Sequence, residues 1–99
     1  VPVLFGKNGK VDLNFEVDGY SEKLKTVIEV EAGRAVSNYQ FLKDFYESCM
    51  MHDVDYFCVA VKNIYRNSND FDKVCDFFRA LYSSNRLEIP LKGILVIGY

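Results

Sequence analysis

Val11-Asp12-Leu13-Asn14-Phe15-Glu16-Val17-Asp18 alternates strictly, apolar at odd positions and polar at even ones, and Thr26-Val27-Ile28-Glu29-Val30-Glu31 follows with two carboxylates two positions apart. Strict alternation marks a half-buried strand. Side chains i and i+2 leave a strand on the same side, so Glu29 and Glu31 emerge together. A hairpin closed by the four-residue loop Ser21-Glu22-Lys23-Leu24 sets Tyr20 opposite Lys25, Asp18 opposite Val27 and Glu16 opposite Glu29. Glu16, Asp18, Glu29 and Glu31 then share one face. Like charges opposed across a sheet are destabilising, so this cluster calls for a cation or for raised pKa values. A divalent metal ion is the natural partner.

Outward from this pair, residues 1–5 form a first strand, and Asn8-Gly9 gives a hairpin signal, since both residues tolerate positive φ. Residues 10–18 return antiparallel and residues 26–31 complete a three-stranded meander. Ser37 with Gln40 three positions on has the spacing of a capping box, and Leu42, Phe45, Tyr46, Cys49 and Met50 continue at helical intervals. A helix over residues 37–51 follows. Residues 55–61 are an almost unbroken apolar run, as expected of a strand covered on both faces. Asn67-Ser68-Asn69-Asp70 opens a second helix over residues 69–84, with Asn85 as a left-handed stop. Residues 94–97 make the last buried strand. The order β-β-β-α-β-α-β describes an α/β fold on a mixed sheet, in which the two buried runs are neighbouring central strands, parallel and joined by a helical crossover.

Composition narrows the class. The 99 residues are one domain's worth, 49% hydrophobic with eight Phe and seven Tyr, enough for a core without staples. The net charge of −2 lacks the electrostatic footprint of a typical nucleic-acid binder. The carboxylates of the meander themselves contribute to that acidity. Cys49, Cys58 and Cys75 lie inside apolar patterns without paired spacing, which indicates reduced core thiols in an intracellular, cytoplasmic protein and argues against zinc. No signal peptide or bilayer-length apolar run is present, so no membrane partner is expected. The chain begins at Val1 directly in a strand, as a fragment of a longer chain would. No Gly-rich phosphate loop follows a strand.

An acidic residue on the second strand of a meander, an acid-x-charged triplet on the third, then a helix and a further strand, resembles the PD-(D/E)xK nuclease superfamily of restriction-endonuclease-like enzymes. Val17-Asp18 stands where the family has Pro-Asp, and Glu29-Val30-Glu31 where it has (Asp/Glu)-x-Lys, the lysine being replaced by Glu31. The resemblance spans residues 10–61. It implies a restriction-endonuclease-like core and metal-dependent cleavage of DNA. Asp18, Glu29 and the carbonyl of Val30 would hold Mg²⁺ (or Mn²⁺ as a substitute), and Glu31 would orient or deprotonate the attacking water. Lys23, Lys25 and Arg34 are candidates for the missing positive charge, and Glu16 adjoins the site.

Bland readings compete with these. Polar positions on an alternating strand often form only a solvated face. Arg34 lies after a turn, where arginines are usually just exposed, and Gln40 suits a cap. The helix carrying Phe41 and Tyr46 is apolar on more than one side, which points to contact with further segments of a longer chain or with a second subunit in a homodimer. The alternative function is a non-catalytic α/β interaction domain with an acidic face.

Overall fold

A computed structural model of the chain describes residues 2–5, 11–33, 35–36 and 39–99. Its elements are β1 (Pro2–Phe5), β2 (Val11–Asn14), β3 (Gly19–Ser21), β4 (Thr26–Val30), α1 (Gln40–Met50), β5 (Tyr56–Val61), α2 (Asp70–Ser84) and β6 (Gly93–Gly98). β3-β4-β5-β6 form a mixed four-stranded sheet, with β3 antiparallel to β4 and the other pairs parallel. β1 and β2 make a separate antiparallel pair. The Asn8-Gly9 turn lies outside the described residues.

The expected single meander is therefore divided between two sheets. The alternating stretch 10–18 is not one strand: β2 ends at Asn14, residues 15–18 belong to no strand, and β3 begins at Gly19. The hairpin register supplies the reason. Gly19 faces Ile28, Tyr20 faces Val27 and Ser21 faces Thr26, so the loop is residues 22–25 rather than 21–24. Tyr20 does not meet Lys25. Extended backwards, that register would set Asp18 against Glu29 and Glu16 against Glu31, like charges directly opposed. Instead the ladder stops, and the Asp18 carboxylate accepts the Val30 amide at 2.8 Å. A slip of two residues keeps every side chain on its face, so the shared facing of Asp18 and Glu29 survives.

Phe57, Val59 and Val61 of β5 are buried on the helix-facing side together with Val27 of β4, and on the other side Cys58 is buried while Ala60 is only partly so. The first four meet α1 and α2 on one face of the sheet. The Phe45 ring of α1 lies 6.3 Å from Phe57 and 5.2 Å from Phe78 of α2. Strand order β4-β5-β6 steps twice in the same direction, and two crossovers of the same sense put both helices on the same side.

No described helix covers the opposite face. Ile28, Val30, Leu95 and Ile97 lie there at 41, 52, 58 and 44% exposure. β5 and β6 are parallel neighbours as expected, but β6 is an edge strand with one open face, so the reading of residues 94–97 as a buried central strand is corrected. Its pattern has a simple origin: Ile94 and Val96 pair with Phe57 and Val59 towards the helices, and Leu95 and Ile97 point away.

Helix α1 begins at Gln40, later than residue 37; Ser37 lies outside the described residues, and Tyr39, which precedes the helix, is left-handed and makes no side-chain cap bond. α2 ends at a left-handed Asn85, as its sequence suggests. The cysteines are free, with Cys58 buried. No helix of the described residues is long and apolar enough to cross a membrane.

The two faces should respond differently to truncation. Phe57→Ala should cost about 3–5 kcal/mol in urea unfolding, whereas Leu95→Ala should cost less than about 1 kcal/mol. Equal losses would mean that the bare face is covered in solution.

Candidate metal centre

β4 delivers Glu29 to the helix-facing side, and Glu31 follows immediately beyond its end, its amide bonded to the Ala60 carbonyl at 2.8 Å. Above them runs α1, whose buried positions are Phe41, Asp44, Phe45 and Ser48. Two polar residues thus occupy an otherwise apolar stripe. Ser48 is satisfied, donating to the Phe45 carbonyl at 2.7 Å. Among the described residues Asp44 is satisfied on one oxygen only: Oδ1 accepts from Gln40 Nε2 at 3.0 Å, and Oδ2 is buried with no hydrogen-bond partner. Gln40 is therefore a holder of Asp44 rather than a cap.

Glu29, Glu31 and Asp44 each present an oxygen within 4.8 Å of the other two. Glu31 and Asp44 are 8 and 7% exposed. Burial pushes the Glu29 carboxyl up to about 8, assisted by the charges of Asp44 and Asp18. Glu31 rises to about 9, again chiefly by burial, then through the close-set Asp44 carboxyl and the charges of Glu29 and Asp18. Near neutral pH the group is short of positive charge and retains protons instead. Beside it opens a cavity of about 450 Å³ lined by Glu16, Asp18, Glu29, Asp44, Glu47 and a single cation among the described residues, Lys43.

The residues expected from sequence are distributed as follows. Glu29 and Glu31 stand in the cluster, and Asp18 stands at its margin, exposed, with its carboxylate on the Val30 amide. Glu16 lines the cavity from the stretch between β2 and β3. Val30 turns its side chain to the bare face, and its amide is held by Asp18. Lys25 lies at the other end of β4, where its carbonyl accepts the Asp55 and Tyr56 amides at 2.8 and 3.1 Å. Lys23 shares that loop, and neither lines the cavity. Arg34 lies outside the described residues. Asp44 and Lys43 went unrecognised in the sequence, although an Asp at helical spacing between Phe41, Phe45 and Ser48 was a readable sign of a buried carboxyl.

Comparison with family models, with curated proteins and with solved structures finds no match for this chain.

A carboxyl with a raised folded-state pKa binds its proton more tightly in the native than in the unfolded chain, so stability falls as pH rises between the two values. Here the window runs from the ordinary value of 4.5 to about 8 for Glu29 and about 9 for Glu31. In metal-free buffer the melting temperature should drop by more than about 5 °C between pH 5 and pH 9, and Glu31→Gln should flatten much of that slope. A wild-type curve that rises across this window would contradict the arrangement.

Proposed function

We propose that the chain is a metal-dependent endonuclease domain that hydrolyses phosphodiester bonds in DNA, with a restriction-endonuclease-like catalytic edge formed by β4, α1 and β5. The observation that carries this reading is Asp44 Oδ2, a buried carboxylate oxygen without a hydrogen-bond partner among the described residues, beside two further carboxyls. An isolated buried charge is costly enough that it acquires a proton or a cation, and a set of carboxylate oxygens suits the hard ion Mg²⁺, or Mn²⁺ in its place. Glu29, Glu31 and Asp44 would hold the ion. When bound it supplies neutralisation of phosphate charge and acidification of water.

The chain's own residues do the rest. Gln40 fixes the rotamer of Asp44 through Oδ1 and leaves Oδ2 for the site. Asp18 ties the stretch between β2 and β3 to β4 by the Val30 amide and adds negative potential at Glu29. Lys43, on the cavity wall, takes the place of the lysine absent from Glu29-Val30-Glu31 by offering its ammonium to a phosphate oxygen. Glu31, once ionised, accepts a proton from the attacking water.

A second reading has its own observation. The bare apolar face of Ile28, Val30, Leu95 and Ile97 favours a non-catalytic interaction domain, covered by a second copy or by further segments of a longer chain.

Metal decides between them. Millimolar Mg²⁺ or Mn²⁺ should raise the melting temperature of the wild type, by about 2.7 kcal/mol of stability at a hundredfold excess over Kd. It should leave Asp44→Asn and Glu29→Ala nearly unmoved. Cleavage of plasmid DNA should fall more than about 100-fold in both variants and about 10-fold or more in Lys43→Ala. A melting temperature indifferent to both ions in every variant supports the interaction domain instead.

A further inference from the structure

Between β5 and α2 the chain makes a tight turn whose residues the proposed chemistry leaves unused. Tyr65 and Ser68 bridge one another, each amide donating to the other's carbonyl at 2.9 Å. The two residues between them, Arg66 and Asn67, have φ of 49° and 64°. Two successive left-handed residues define a turn that Asn and Gly accept readily. Asn67 suits it. Arg66 does not, since a side chain longer than Asn or Asp costs about 1–2 kcal/mol in this conformation, and backbone strain kept at an exposed position invites a functional explanation.

The strained arginine is not alone. Its guanidinium lies 5.2 Å from the centre of the Tyr65 ring, and Lys62 Nζ lies 5.8 Å from the same ring. Among the described residues neither cation has a carboxylate partner, whereas Arg79 and Lys92 elsewhere are paired with Asp76 and Asp55 at 3.3 and 3.4 Å. The Tyr65 ring is itself seated on Gly33, where a Cβ would come within 2.7 Å of it. Gly33 is two residues past Glu31. One aromatic ring thus fastens two cations to the strand end that carries the carboxylate cluster.

We propose that Lys62, Tyr65 and Arg66 form a binding site for the sugar-phosphate backbone of DNA adjoining the carboxylate cluster. The proposal rests on the nuclease reading for its substrate. A chain of net charge −2 with an acid-lined cavity repels a polyanion, so capture needs local cations at the same end of the sheet. Arg offers a planar fork of donors and Lys a mobile point charge to phosphate oxygens. The turn holds Arg66 at its apex.

The test is fluorescence anisotropy of the full chain with a short duplex DNA in EDTA, across a range of salt. Lys62→Ala and Arg66→Asn, the latter chosen because Asn favours the left-handed turn, should each weaken binding about five-fold. The double variant should lower the slope of log K against log salt by about 1–2. Lys62→Arg with Arg66→Lys should restore binding. Arg86→Ala, an exposed cation just past the far end of α2, should change nothing. Unchanged affinity and slope in the double variant, an equal loss in Arg86→Ala, or no binding by the wild type would overturn the site. Wild-type binding lost in the double variant but without Mg²⁺-dependent cleavage would overturn the nuclease reading while supporting this site. Cleavage by wild type and double variant at equal rates would overturn the site alone.

Discussion

Burying Asp44 against Glu31 is the constraint on which the rest of this structure turns. Two carboxyls so nearly hidden from water cannot both be charged without a partner, because the cost of an uncompensated buried ion is several kcal/mol. In the absence of metal the fold meets this by keeping protons on Glu31 and Glu29, which burial and mutual repulsion push up to about 9 and about 8. A cation in place of those protons would satisfy the same oxygens, Asp44 Oδ2 included. The site is thus held by the packing around it: Phe41 and Phe45 anchor α1 on Phe78 and Phe57, and that anchoring, rather than attraction among the acids, keeps Asp44 over β4.

The topology places this strained group where a ligand can reach it. In open α/β sheets ligands gather beyond the carboxyl ends of the parallel strands. Glu31 lies just past that end of β4, and the Lys62–Ser68 turn just past that end of β5. Tyr99, after β6, donates its hydroxyl to the Glu31 carbonyl at 2.6 Å and ties the third strand to the same edge. The two same-sense crossovers that build this edge also put both helices on one face and leave Ile28, Val30, Leu95 and Ile97 uncovered.

Most elements were legible because their residues report a local period. Phe57, Val59 and Val61 read as a buried strand, and Phe71, Val74 and Phe78 as a helix face. Glu29 and Glu31 were legible as a pair because the pleat fixes direction whatever the partner strand. What local pattern could not supply was register and long-range pairing. Alternation through Val11–Asp18 looks the same whether the chain continues in one sheet or crosses to another at residues 15–18, and only the charges of Asp18 and Glu29, brought opposite by the actual turn, decide against continuation. The status of β6 was hidden for a similar reason: Leu95 and Ile97 are apolar, and burial was inferred from hydrophobicity where position at the sheet edge governs. Asp44 was not legible by period because a helical stripe is marked by its apolar residues, and a single polar residue within it has no period of its own.

Proton exchange on metal binding tests the central claim most directly. With Glu29 and Glu31 protonated at neutral pH, an ion entering the cluster must expel protons. Titration calorimetry of Mn²⁺ into the wild type at pH 7, repeated in buffers of different ionisation enthalpy, should show saturable binding at one site with release of at least about one proton per ion. Asp44→Asn should abolish the binding. Saturable binding without proton release, or no binding at all, would contradict the account.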